Sequence, residues 1–165
     1  MAYTITEQLV GFQSIAETST SQQHPIGTIV RAKDQTLGEG EFIYLLGVAS
    51  TAVGSLVTYN SATGLTTLAA VGANKSFPLA VAMSANVASQ YGWYQISGLA
   101  VMKKSCTVSL AANAAVGVLT TGLIAGTGSG KEVQGAIVTT VASATAGRTT
   151  VSVLINRPRL QGRVT

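Results

Sequence analysis

The chain is poor in residues that do chemistry, and those it has are badly spaced for it. Among 165 residues there are one cysteine, Cys106, one histidine, His24, and six acids. A single cysteine excludes an intrachain disulfide, and one cysteine with one histidine is too small a ligand set for a Cys/His zinc site. Catalysis of the Ser-His-Asp type would have to use His24 with Asp34, the sole aspartate, or with a glutamate. No Gly-x-Ser-x-Gly turn is present to expose such a serine. Glycosidase chemistry needs two opposed carboxylates, yet five of the six acids precede Phe42. Glu39 and Glu41 would share a face on a strand, but with Gly40 between them they read as a solvated turn.

Gly126-Thr127-Gly128-Ser129-Gly130-Lys131-Glu132 evokes a phosphate cradle. A P-loop requires glycine where Ala125 stands and Ser or Thr where Glu132 stands, and the acid would repel phosphate. The dinucleotide spacing fails at Lys131, so the segment reads as a hairpin tip. No catalytic, cofactor-binding or metal-ligating residue is expected, and the protein is not expected to be an enzyme. Cys106, in Ser-Cys-Thr-Val-Ser-Leu, reads as a small buried hydrophobe on a strand. His24, before Pro25 in a polar stretch, reads as a solvated loop histidine.

Two clusters are suited to binding. Arg157, Arg159 and Arg163 form a basic C-terminal segment that lacks the aromatic interleaving of a single-strand binder and is too short to enter a groove. Planar guanidinium groups suit bidentate contacts to carboxylates on a neighbouring subunit, which is the preferred reading over nucleic acid. Tyr91-Gly92-Trp93-Tyr94 gathers much of the aromatic content; alternation puts Tyr91 and Trp93 on one face and Tyr94 on the other. The cluster is a carbohydrate platform, an interface anchor, or the keystone of the core.

The elements that must position these residues are strands. Short β-rich runs broken by Gly, Asn and Ser lie at 28–33, 41–46, 56–60, 65–69, 78–83, 92–96, 99–103, 107–110, 117–120, 133–141 and 148–156. In the last, Val151, Val153 and Ile155 point one way, and Leu154 on the opposite face hints at a partly buried outside. Only Ser84 to Ser89 and Ala111 to Val116 tempt a helix. Residues 11–26 are polar, hydroxyl-rich and without period, and read as an arm ordered by a partner or by the body. The expectation is therefore an all-β fold, a small antiparallel β-sandwich or barrel, jelly-roll-like or related. Its parts are an extended N-terminal arm (1–27), a body (28–156) and a basic tail (157–165).

Composition sharpens the functional class. Only 10% of the residues are charged, against about 25% in an ordinary domain. Spread over a folded surface of about 7,600 Å², that is roughly one charge per 480 Å². Disorder would need low hydrophobicity and high net charge. The longest uncharged run, Phe42 to Asn74, is too often interrupted by Gly, Ser, Thr and Asn to hold a span of about 20 apolar residues, so no membrane partner is expected. Met-Ala-Tyr-Thr-Ile-Thr-Glu lacks the basic and apolar regions of a secretory signal. What remains is a surface covered by other protein copies. The net charge is +4, divided as −3 over residues 1–41 and +7 over the rest, so that acidic and basic ends can meet across subunit boundaries.

Several segments resemble a known family. They are Glu41-Phe42-Ile43-Tyr44-Leu45-Leu46-Gly47-Val48-Ala49, Gly54-Ser55-Leu56-Val57-Thr58-Tyr59-Asn60, Pro78-Leu79-Ala80-Val81-Ala82-Met83, Tyr91-Gly92-Trp93-Tyr94-Gln95-Ile96-Ser97-Gly98 and Gly135-Ala136-Ile137-Val138. Together, over Thr28 to Pro158, they are similar to capsid decoration, or cement, proteins of tailed bacteriophages, encoded beside the major capsid protein. The resemblance implies an all-β virion protein, made in the host bacterial cytoplasm, that trimerises and binds the major capsid protein on the outside of the expanded head. It brings no catalytic residues. The contact residues expected on this reading are Tyr3, Ile5, Phe12, Ile15 and Ile26 in the arm, Tyr91, Trp93 and Tyr94, and Arg157, Arg159 and Arg163. A virion fibre or host-attachment module, with the three aromatic residues as a glycan platform, is the alternative.

Overall fold

The computed structural model describes residues 4–5, 13–70, 76–145 and 149–161, with Ile5 and Leu119 described by their backbone alone. Among the described residues there are twelve strands and no helix. The strands are β1 (Thr4–Ile5), β2 (Thr18–Ser19), β3 (Ile29–Asp34), β4 (Gly38–Leu46), β5 (Leu56–Tyr59), β6 (Thr66–Leu68) and β7 (Leu79–Ala82), followed by β8 (Tyr91–Lys103), β9 (Ala115–Thr120), β10 (Leu123–Gly126), β11 (Glu132–Val138) and β12 (Thr150–Leu160). They form one curled antiparallel sheet, a half-barrel, in the order β1-β3-β4-β8-β12-β11-β9-β10, with β5, β6 and β7 branching from β8. The expected all-β architecture of the sandwich or barrel type is what the chain adopts.

Strand β8 organises the rest. Its Tyr91–Gly98 half pairs with β4 along one edge, so its partners β2, β7 and β12 must follow one another along the other edge. Its only charged residue is the terminal Lys103, the composition of a strand covered on both faces. Alternation divides its side chains among three apolar clusters. Trp93 joins Phe42, Tyr44, Val30 and Ile15 on one face; Tyr94 and Ile96 join Ile43, Leu45, Val57 and Ala80 on the other. Beyond Gly98, Ala100 and Met102 enter the largest cluster, with Val116, Val118, Ile124, Val151, Val153 and Ile155.

Several expected boundaries move, each for a local reason. The runs 92–96 and 99–103 are one strand, because the chain bulges at Ile96, skipped in the β4 register, and Gly98 at φ +100° lets it continue rather than turn. Glu39, Gly40 and Glu41 are not a solvated turn; they lie in β4, paired with β3 and β8. The run 107–110 is a turn with a single bridge from Leu110 to Ala142, and neither Ser84–Ser89 nor Ala111–Val116 is helical. The glycine-rich 126–132 segment is not a hairpin tip, since it links β10 to β11, which flank β9 instead of pairing with each other. Residues 157–160, expected in the tail, continue β12.

The arm is ordered by the body from Gln13 onward, through β2 pairing with β8 and the burial of Gln13, Ile15 and His24. The bulge in β8 supplies a direct test. A Cβ on Gly98 would run into the carbonyl oxygen of Glu39 and also force a side chain into a left-handed backbone. Gly98→Ala should lower unfolding free energy by at least about 2 kcal/mol, read from urea denaturation. An unchanged midpoint would show that the bulge does not depend on glycine.

Candidate interaction surface

The expected aromatic platform lies inside the molecule. Trp93 and Tyr94 are fully buried, so neither ring offers a face to a glycan or a partner chain. Trp93 is a core keystone. Its Nε1 donates to the Gln13 carbonyl at 2.9 Å, and its ring lies 5.0 Å from that of Tyr44. Tyr44 Oη donates to Gln13 Oε1 at 2.9 Å. Gln13 Nε2 reaches the carbonyls of Glu17 and Tyr91, and Gln13 N donates to His24 Nε2 at 3.2 Å. Every polar group of Gln13 is therefore engaged in pinning the arm to the aromatic cluster. Tyr94 Oη accepts from Asn86 Nδ2 at 3.0 Å on the opposite face. Tyr91 is half-buried and stacks on Tyr44 at 6.1 Å.

His24 is not a solvated loop residue. It is 8% exposed, with its ring 5.1 Å from Tyr44 and 5.3 Å from Trp93. Because Nε2 accepts the Gln13 proton, the ring must be neutral with its own proton on Nδ1. Burial holds its pKa below the ordinary imidazole value.

Cys106 is also misplaced by sequence reasoning: it is exposed, in the turn after β8. The inward position there belongs to Lys104, 1% exposed, whose Nζ donates to the carbonyls of Ser105, Val108 and Ser143 at 3.1, 2.9 and 3.1 Å. A fixed cation thus knits two loops to the end of β8. The lysine was invisible in a sequence reading that treated basic residues as surface charge.

The remaining expected contact residues divide. Ile15 is 2% exposed and belongs to the core, while Ile26 is half-buried over Gly64. Ile5 pairs by its backbone with Ala32; Tyr3, Phe12 and Arg163 lie outside the described residues. Arg157 and Arg159 are exposed on β12. Arg157 Nη2 contacts Glu41 Oε2 at 2.9 Å, and Arg31 Nε lies 3.6 Å from Glu41 Oε1. One acid of residues 1–41 and one arginine of the basic remainder thus meet within a single chain. Arg159 Nε donates to the neutral Gln134 Oε1 at 3.1 Å.

What the structure adds is an apolar row on the outer face. Leu99, Leu154, Ile137 and Ala115 are successive cross-strand neighbours on β8, β12, β11 and β9. Leu154 is 53% exposed and Ile137 49%. The partly buried outside expected from Leu154 is not found, because that face of β12 is left uncovered and Leu154 is exposed; its neighbours emerge only from the strand register. Among the described residues no three of His, Cys, Asp and Glu come together as a metal site. No helix among them is long and apolar enough to cross a membrane.

The fold is that of an all-β protein built on a curled antiparallel sheet. Comparison with protein-family models, with curated proteins and with solved structures finds no match to the chain.

The His24 environment fixes a pH dependence. A depressed folded-state pKa means that the unfolded chain binds more protons between that value and about 6.5. The stability it contributes is full above about pH 6.5 and is lost as pH falls below it. The thermal midpoint should drop between pH 7.5 and pH 5, and His24→Gln, which cannot titrate, should flatten that drop. Parallel pH profiles of the two proteins would exclude His24 as the cause.

Proposed function

We propose that the protein is a non-enzymatic cement protein that binds the major capsid protein on the outer surface of a tailed-phage head and self-associates as a homotrimer. The observation that carries this reading is the cross-strand apolar row Leu99–Leu154–Ile137–Ala115, in which Leu99 is half-buried and the other three are exposed, on a molecule with only 10% charged residues. Isolated exposed apolar residues are ordinary, whereas contiguous ones mark contact surfaces. The capsid as partner rests on the resemblance of the strand segments, above all Tyr91–Gly98, which is the central strand here. The glycan-platform alternative is left with the half-buried Tyr91, since Trp93 and Tyr94 are buried.

Cement function needs no pocket and no catalytic group. A protein that binds only the intact lattice stabilises it by mass action, about 2.7 kcal/mol per site when free protein is at 100 times its Kd. Multiplied over a shell, that resists the outward pressure of packaged DNA. Rigid attachment is favoured by a module whose arm is pinned to its own core, because little ordering entropy is lost on docking.

Purified protein should bind expanded heads that lack it, and heads without it should release DNA at a lower temperature than complete ones. Failure to bind, or equal retention of DNA, would refute the assignment. Raised salt should loosen the bound protein more than it lowers the melting temperature of the free protein. In sedimentation the free protein should run as three 16.8 kDa chains, and the double variant Ile137→Lys, Leu154→Lys should run as one. A trimer that survives both lysines would move the subunit interface elsewhere.

A further inference from the structure

Strand β12 contains a register switch. Val151, Val153 and Ile155 are buried, but so are Pro158 and Leu160. Inward positions thus change from odd to even between residues 155 and 158. The change is made at Arg157, a non-glycine residue at φ 44°, where 156–158 bulge out opposite Gly135. Without it, Arg157 and Arg159 would continue the inward set; with it, both guanidinium groups stand outside. Backbone strain of this kind persists where the surroundings enforce it and collects at functional positions.

The switched residues border a groove. Arg157, Pro158 and Arg159 line a hollow of about 270 Å³ with Ile29 and Tyr59. A second hollow of about 410 Å³, containing Leu65 and Phe77, shares Tyr59 and Pro78 with the first. Three large exposed apolar residues converge here: Ile29 at 40%, Leu65 at 48% and Phe77 at 50%. The charged side chains lining the groove are both arginines. Arg157 is already paired with Glu41, and Arg159 has a neutral amide as its described partner, so among the described residues no carboxylate offsets Arg159 beside the apolar walls.

We propose that this groove seats an extended segment of the capsid protein, one that places a carboxylate on Arg159 and apolar side chains against Phe77 and Leu65. The proposal rests on the cement reading and adds to it the contact surface and the chemistry of the partner segment. Two open hollows on either side of a common wall suit a chain that passes over both, where a small ligand would fill one. A guanidinium fork takes a carboxylate in bidentate fashion, and the apolar walls give no purchase to a phosphate backbone.

The test is binding to purified heads that lack the protein, using wild type, Arg159→Glu, Phe77→Ser and, as a control on a distant exposed apolar residue, Val87→Ser. Arg159→Glu and Phe77→Ser should each weaken binding about tenfold or more while the free proteins keep the wild-type melting temperature, and Val87→Ser should bind as wild type does. If wild type itself does not bind, the cement reading falls and takes the groove with it. If wild type binds and the two groove variants, shown to be folded, bind equally well, the groove is overturned and the cement reading stands. Arg159→Lys, decorated on heads and treated with a carbodiimide, provides a second readout, because the amine can be joined to a carboxylate it touches. A cross-link from residue 159 to an Asp or Glu of the capsid protein flanked by apolar residues supports the proposal. A cross-link only to a second copy of this chain overturns it.

Discussion

The structure depends on one strand whose Gly92–Ile96 stretch is buried on both faces. Between Tyr91 and Lys103 the chain feeds Trp93 to one apolar cluster, Tyr94 and Ile96 to a second, and Ala100 and Met102 to a third. No other strand contributes to all three. A central strand of this kind leaves its backbone no access to water, so each N–H and C=O needs a ladder partner. β4 supplies them along one edge as far as Gly98, and β2, β7 and β12 in turn along the other. Gly98 is where the strand bends from the first two clusters to the third.

That constraint explains why the arm behaves as part of the body. The Trp93 side of β8 and β4 would lie open without Ile15 and His24, and without Gln13 an indole N–H and the Tyr44 phenol would lose their buried partners. Gln13 answers the indole and Tyr44 together, which is worth more than separate pairs because each donor orients the next. The cost is a neutral histidine at the centre of the network, which makes this edge of the fold the part most exposed to acid. Lys104 plays the corresponding role at the far end of β8, as a cation held by three carbonyls where loops would otherwise have no ladder.

Trp93, Tyr94, His24 and Lys104 are committed to holding the core. Two features of the outside stand apart from it: the apolar row across β8, β12, β11 and β9, and the groove beside the β12 bulge. The bulge turns what strand alternation would have buried into a basic rim, in which Glu41 pairs with Arg157 while Arg159 meets the neutral Gln134 amide. Exposed ion pairs such as Glu41–Arg157 add little stability, so the pair bears more on the charge of the rim than on the strength of the fold.

Fold class was legible in the sequence because alternation and turn chemistry are local: Val151, Val153 and Ile155 mark a half-buried strand whatever surrounds them, and the absence of sustained helical period excludes helices. The alternation at Tyr91 to Tyr94 also separated Trp93 from Tyr94 correctly. The sequence could not choose between a platform and a keystone for Trp93, because that choice depends on Gln13, eighty residues away. His24 and Cys106 were exchanged in their environments for the same reason: polarity of the flanking residues does not report which distant elements fold over a site. Strand boundaries shifted where a left-handed residue let the strand run on, at Gly98 and at Arg157, and nothing local marks an arginine for that conformation. Pattern and composition thus determined an all-β, charge-poor molecule. Only the tertiary structure decided which side chains remain on its surface, because burial is set by pairing between strands far apart in the chain.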